Sequence, residues 1–265
     1  MPETIASTDG TTIAFERTGR GPSVLLIGGA LSDRSAAGEL VEQLSPSLST
    51  IAYDRRGRGE SGDTTPYAVE REVEDAGSLI DAVGGSSFVF GHSSGAVLAL
   101  ELARSRPDAV TKLALYEPPF IVDHSRPPLP DDYVERLDEL VAAGRRGDAV
   151  AYFLTNGPGV PEEQVEGMRG QPFWGGMESV AHTIAYDGRI MGETMDGSPG
   201  PLRRWASVTT PTLLMDGGAS PPWQRHAVLA LAEILPNVEH RTLEDQTHGA
   251  APEMLAPVLL GFFRG

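Results

Sequence analysis

The run Ser87-Phe88-Val89-Phe90, the turn Gly91-His92-Ser93-Ser94-Gly95, and the helix-forming run Ala96-Val97-Leu98-Ala99-Leu100-Glu101-Leu102-Ala103 constrain this chain more than any other segment. A strand that ends in G-x-S-x-G and opens a helix is a nucleophile elbow. The turn is tight enough to strain its central residue, and the flanking glycines make room for it. Ser93 is thereby expected at the edge of a sheet with its hydroxyl exposed, placed for acyl-transfer chemistry. The elbow also needs a particular frame, in which strands and helices alternate.

The rest of the chain supplies that alternation. Thr4–Ser7 and Thr11–Thr18 read as strands around Asp9-Gly10, a hairpin signal. Ser23–Ile27 is a continuous apolar run between Gly21-Pro22 and Gly28-Gly29, as in a strand buried on both faces. A helical stretch over Ala36–Leu44 leads to a strand over Leu48–Tyr53. A helix over Tyr67–Val83 follows, then the elbow strand, then a strand over Thr111–Tyr116. The pattern predicts an α/β fold with a mostly parallel sheet of about eight strands, its first hairpin antiparallel, and helices on both faces. It breaks at Glu117-Pro118-Pro119. Residues 120–206 carry only helix-like segments, over Asp131–Ala143, Asp148–Phe153, Pro161–Met168 and Glu178–Tyr186. They are expected to form a helical cap over a core made of residues 1–119 and 207–265. The glycine-rich joints of the cap fit either a mobile lid or a rigid layer. Alternation resumes with a strand at Pro211–Met215, a helix at Trp223–Leu235, a strand at Val238–Thr242 and a helix at Ala251–Phe263.

Composition narrows the function classes. The 265 residues carry a formal net charge of −16, with Lys112 the sole lysine. Nucleic acid and anionic membranes both need cationic surface, so neither is an expected partner. No cysteine is present, which excludes thiolate catalysis and cysteine metal sites. No H-E-x-x-H occurs and the histidines are scattered, so no metal and no cofactor are expected. The chain shows no basic and apolar leader and no run long enough for a membrane span. The expected partner is a small-molecule substrate and the expected location cytoplasmic; the sequence says nothing about oligomeric state.

A serine hydroxyl needs a general base, and usually a third group to orient that base. Of six histidines, His248 lies in the loop after the last strand, which opens on the same sheet edge as the elbow. His240 falls within a strand, His226 on a helix, and His124 and His182 in the cap, where they are placed to contact substrate. His92 flanks the nucleophile in a supporting position. Two N–H donors are expected for an oxyanion: Ser94, at the start of its helix, and Ala30, in the glycine-rich loop after Ser23–Ile27.

Four motifs together resemble the α/β-hydrolase fold superfamily, of the single-domain serine hydrolase type with a helical cap: Gly28-Gly29-Ala30, Asp54-Arg55-Arg56-Gly57-Arg58-Gly59-Glu60-Ser61, the elbow, and His248. The resemblance implies that the arginines of the second motif hold their loop by ion pairs. It also implies an acid a few residues after the strand that follows the cap, at Ser220, where this chain has no carboxylate. Glu117, at the end of the strand after the elbow helix, is the first candidate to replace it, as in pancreatic-type lipases. Asp216 is the alternative, and Asp245 or no acid at all remain. The resulting expectation is a serine hydrolase acting on a small carboxylic ester, lactone or thioester through an acyl-serine intermediate. Gly29, Leu31, Phe120, Phe153, Phe173, Trp174 and Met177 are the candidate pocket residues. A non-hydrolytic binding or receptor protein with a degraded triad, or a biosynthetic lyase or cyclase, stand as alternatives.

Overall fold

The computed structural model describes residues 2–265. Its centre is an eight-stranded sheet in the order β1-β2-β4-β3-β5-β6-β7-β8. The strands are β1 (Glu3–Ala6), β2 (Thr12–Thr18), β3 (Ser23–Ile27), β4 (Ser49–Tyr53), β5 (Ser87–His92), β6 (Val110–Tyr116), β7 (Thr212–Gly217) and β8 (Val238–Leu243). The pairs β1–β2 and β2–β4 are antiparallel and all others parallel. The expected α/β class and strand count are what the chain adopts. β4 and β7 are buried along their whole length and β3 from Val24 to Ile27, which is why β3 reads as a continuous apolar run.

Helices cover both faces. On one side α1 (Gly38–Leu44) and α10 (Pro252–Arg264) pack on Val24, Leu26, Phe90, Ala114 and Leu213. On the other, α2 (Val69–Ala82), α3 (Ser94–Ser105) and α9 (Pro222–Ala232) enclose Leu25, Ile27, Val89, Leu113 and Leu214. The alternation of Leu25 and Leu26 between these clusters is the two-residue period of a strand whose faces are both covered.

Between β6 and β7 the described residues form only helices: α4 (Tyr133–Ala142), α5 (Arg146–Asn156), α6 (Glu162–Met168), α7 (Trp174–Ser179), α8 (Ile184–Met191) and short 3₁₀ turns. α4 through α8 enclose a small core of their own around Leu137, Leu140, Val150, Trp174 and Ile184. The helix expected over Glu178–Tyr186 is broken, because α7 ends at Ser179 and a 3₁₀ turn over Ala181–Thr183 precedes α8. This break lets Thr183 and Asp187 face inward, where both are buried.

That burial is matched by charge. Arg55 donates to both oxygens of Glu72, at 2.7 and 2.8 Å, and to Asp187 at 2.7 Å. Arg58 donates to the other Asp187 oxygen at 2.7 Å and to Thr183 at 3.0 Å. Arg56 is paired with Asp75 and Asp9. The three arginines thus hold their loop by ion pairs, and two of them also fasten α8 to the sheet. Burial alone pushes Asp187 up, but Arg58 and Arg55 outweigh it and hold the carboxyl below its usual range. No described helix is long and apolar enough to cross a membrane.

Candidate active site

Ser93 has φ 57° and ψ −128°, the strained conformation expected of an elbow. The glycines around it are obligatory for close approach. A Cβ on Gly91 would stand 2.6 Å from Ala96 Cα, and one on Gly95 2.3 Å from the Ile27 carbonyl oxygen. Ser93 N–H is held by the Tyr116 carbonyl at 3.0 Å, which ties the elbow to the end of β6. Ser94 and Ala30 line the same cavity as Ser93. Their backbone N–H groups have no acceptor among the described residues.

His248 stands in the loop after β8, and both β6 and β7 separate that strand from β5. Two hydrogen bonds draw the loop back. Tyr116 Oη donates to the Thr247 carbonyl at 2.6 Å, and His92 Nε2 lies 2.9 Å from the His248 carbonyl. The imidazoles of His92 and His248 then lie 4.7 Å apart, centroid to centroid.

Glu117 follows β6 with φ 44° and is fully buried. Its Oε2 is 2.7 Å from His248 Nδ1, and its Oε1 accepts the Gly217 N–H at 2.8 Å. Burial pushes this carboxyl up. His248, the Ser220 hydroxyl and the Gly217 N–H outweigh burial and hold it below the usual carboxylate range. Ser220 keeps its buried hydroxyl beside Glu117 without completing a hydrogen bond of ordinary geometry. Gln224, on α9 and only 5% exposed, places its amide 2.7 Å from the same His248 Nδ1. A carboxylate can only accept, so Nδ1 carries the proton toward Glu117. Nε2 is then the unprotonated nitrogen.

Asp216, the alternative acid, does not meet His248. Its carboxylate is fully buried and taken by His240 Nε2 and Thr242 Oγ1, both on β8. Asp216 stands in register with Thr242 of the neighbouring strand, which places that partner within reach of its carboxylate. His240 is thus a partner of Asp216 rather than a free strand residue. Asp245 is exposed.

The cavity over Ser93 has a volume of about 680 Å³. Of the expected pocket residues, Gly29, Leu31 and Phe153 line it. The other four do not. Phe120 is fully buried against Trp205, with ring centroids 5.2 Å apart. Trp174 is buried in the core of the inserted helices and donates to Glu178. Met177 packs against that core, and Phe173 is 54% exposed to solvent. Helical spacing alone did not say which face of each segment looks down. His182 lies by Gly57 and Asp63 rather than in the cavity, and His124 does not line it. The cavity is walled instead by Leu129, Tyr133, Leu154, Met191, Met195 and Trp223.

Sequence reasoning also missed Tyr116, Gln224 and Asp187. The first two touch the His248 loop, and no spacing rule links them to it. Asp187 accepts the Ser94 hydroxyl at 2.7 Å while paired to Arg55 and Arg58. A lone aspartate on an inserted helix gives no sign of this. Four described non-glycine residues have positive φ, namely Leu31, Ser93, Glu117 and Asp245. All lie in loops around this cavity or leading to His248, which is where backbone strain concentrates in functional sites.

Burial, reinforced by the neighbouring His248, pushes His92 down to about 4. It is neutral at pH 7 and donates Nε2–H to the His248 carbonyl. A histidine depressed in the folded state stabilises fully above its unfolded value of about 6.5 and loses that contribution as pH falls toward 4. Between pH 8 and pH 5 this one group is expected to cost up to about 2 kcal/mol. Urea denaturation at the two pH values checks this. In His92→Gln the pH-dependent loss should shrink by that amount; an unchanged loss would assign it elsewhere.

Comparison with known proteins agrees with this architecture. A sequence profile described as the alpha/beta hydrolase family matches residues 24–257. A solved alpha/beta hydrolase from Sphaerobacter thermophilus DSM 20745 is 56% identical, with a TM-score of 0.92 over 98% of this chain and 100% of its own. The 2-(acetamidomethylene)succinate hydrolase of Mesorhizobium japonicum is 26% identical over 241 residues, 86% of this chain and 81% of that protein. The uncharacterized hydrolase YraK of Bacillus subtilis is 32% identical over 113 residues, 41% of this chain and 42% of its own, so the matched region spans less than half of that relative. On its sequence, its sheet topology and its elbow, the chain belongs to the alpha/beta hydrolase family.

Proposed function

We propose that this chain is a serine hydrolase that cleaves a small carboxylic ester, lactone or thioester, with Ser93 as nucleophile, His248 as base and Glu117 as acid. The observation that carries this reading is the 2.7 Å contact between Glu117 Oε2 and His248 Nδ1. It gives the imidazole a charged partner in a chain whose usual acid position holds Ser220. With Nδ1 protonated toward Glu117, Nε2 takes the Ser93 proton as Oγ attacks the substrate carbonyl. The tetrahedral oxyanion is received by the N–H groups of Ala30 and Ser94. Collapse breaks the bond to the leaving group, which takes its proton from His248 Nε2–H. Water, deprotonated by the same nitrogen, then attacks acyl-Ser93, and collapse releases the acid as Nε2–H returns its proton to Ser93 Oγ.

Ser220 was the feature that raised the reading of a binding protein with a degraded triad. The Glu117 contact supplies a carboxylate in its place and so supports the hydrolase reading over that one. A fluorophosphonate probe tests the proposal. It is expected to label the folded protein stoichiometrically on Ser93 at neutral pH, and not to label Ser93→Ala. Hydrolysis of a short p-nitrophenyl ester should be lost with it. Folded protein that resists the probe would overturn the reading. Labelling of Ser93 with no hydrolysis of ester, lactone or thioester would move it toward a lyase or cyclase.

A further inference from the structure

The carbonyl oxygen of Gly29 and the N–H of Ala30 belong to one peptide unit, and a planar trans peptide points them in opposite directions. Whatever fixes the one therefore fixes the other. This peptide stands against the nucleophile: a Cβ on Gly29 would lie 2.8 Å from Ser93 Cβ. Its carbonyl is held from behind by two donors, Arg58 Nη1 at 2.6 Å and Ser32 Oγ at 2.7 Å. Nη1 also donates to the Ser32 carbonyl at 3.2 Å. Leu31, between the two carbonyls, has φ 59°. Such backbone strain persists only where the surroundings over-determine it, and two carbonyls closing on one guanidinium nitrogen do so. Arg58 is buried and does not line the cavity, so it reaches the reacting atoms only through this peptide.

The other edge of the guanidinium faces the inserted helices. Nη2 donates to Asp187 at 2.7 Å and Nε to Thr183 Oγ1 at 3.0 Å. The second Asp187 oxygen accepts the Ser94 hydroxyl at 2.7 Å. Burial, then Arg55, pull Arg58 below the usual arginine value, and Asp187 is the main charge opposing them. A guanidinium stays protonated all the same. One ion pair thus touches both residues assigned to the oxyanion: Ala30 through the Gly29 carbonyl, and Ser94 through its hydroxyl.

We propose that Arg58 is a positioning residue for the oxyanion hole, which aligns and polarises the Ala30 N–H through the Gly29 carbonyl, with Asp187 holding Arg58 and the Ser94 hydroxyl in one frame. The effect on rate rests on the serine hydrolase reading; the alignment of the Ala30 N–H does not. A charged donor on the carbonyl oxygen draws electron density along the peptide and makes its N–H the better donor. The oxyanion exists only once Oγ has attacked. Loss of the alignment is therefore expected to lower kcat about ten- to a hundredfold, a part of the 10²–10³ lost with a whole donor. KM should stay within about threefold, because the ground state does not use the interaction.

Arg58→Met tests this on the full chain. If that variant does not fold, Arg58→Lys takes its place, since one ammonium keeps a charge beside Asp187 but cannot also fork to both carbonyls. Steady-state kinetics on a short p-nitrophenyl ester should give the split between kcat and KM. An aryl trifluoromethyl ketone reads the oxyanion directly: Ser93 Oγ bonds to its carbonyl carbon, the Oγ proton passes to His248 Nε2, and the carbonyl oxygen becomes the anion. Its inhibition constant should weaken about tenfold or more. Nitrogen-15 NMR of the ligand-free protein reads the alignment without any reaction, and the Ala30 amide proton should move upfield. A merely structural role would lower the folded fraction and leave the ketone affinity of the folded protein alone. In a folded variant, unchanged kcat, unchanged ketone affinity or an unmoved Ala30 resonance would each overturn the proposal. If wild-type protein resists both the ketone and the fluorophosphonate probe while the Ala30 resonance moves, the hydrolase reading falls and the alignment stands. If wild-type protein is labelled and inhibited and the folded variant matches it, the positioning role alone falls.

Discussion

Glu117→Gln is expected to leave a folded protein whose kcat is lower by about 10³–10⁴, the scale seen when a serine protease loses the charge of its acid. That is roughly 4–5 kcal/mol of transition-state stabilisation. The amide has the shape of the carboxylate, and its oxygen can still accept the Gly217 N–H at Oε1. Its NH₂ would then face His248 Nδ1, where it favours the tautomer with the proton on Nε2. That tautomer cannot take the Ser93 proton, and no negative charge remains to stabilise the imidazolium. Folding should survive, because removing a buried charge also removes its desolvation cost. Introducing Ser220→Asp into this variant is expected to return at least tenfold of the lost rate, since Ser220 already lies beside Glu117. Steady-state kinetics with circular dichroism as the folding control decides it. Turnover within twofold of wild type in folded Glu117→Gln would take Glu117 out of the mechanism.

The second large effect is on stability. Asp187→Asn is expected to destabilise the protein by about 3–5 kcal/mol, the usual cost of stranding a buried charge. Arg55 and Arg58 are only 2% and 1% exposed in their side chains, and Asp187 is the one carboxylate they share. Without it, Glu72 alone remains against two guanidiniums. At about 2–4 °C per kcal/mol for a chain of this size, the melting temperature should fall by roughly 6–20 °C. The loss falls where the inserted helices meet the core, so α8 should open first and expose Tyr67, which stacks on Tyr186. The amide keeps one accepting oxygen where the carboxylate has two, so it no longer serves Arg58 and the Ser94 hydroxyl together, and kcat should fall with stability. Differential scanning calorimetry is the direct measurement. A drop below 2 °C would mean that the cluster contributes little to holding the inserted helices. The same ion pairs argue for a layer fastened at α8 rather than one hinged as a whole.

Much of this was legible in the sequence because it depends on local rules. Gly91 and Gly95 fit only a turn in which backbone passes within contact of Ile27 and Ala96. Ser23–Ile27 and Pro211–Met215 read as strands because both faces are covered. His248 was found from chain order alone, since parallel strands deliver their following loops to one edge. Glu117 and Asp216 both end strands at that edge, and sequence spacing does not choose between two strand ends. The choice depended on β8, where His240 and Thr242 stand ready to occupy Asp216.

The pocket shows the limit of such rules. Phe120 and Trp174 are as apolar as Phe153, yet only Phe153 reaches the cavity. Their facing depends on how α4 to α8 pack against one another, and a helical period fixes a stripe without saying what it meets. Sequence by itself therefore determined the sheet, the elbow at Ser93 and the loop that carries His248, because each follows from backbone geometry within a few residues. Tertiary structure alone decided that Glu117 meets His248 and that Asp187 joins the inserted helices to Ser94. These are contacts between segments about 90 to 130 residues apart, set by the packing of whole elements rather than by any local preference.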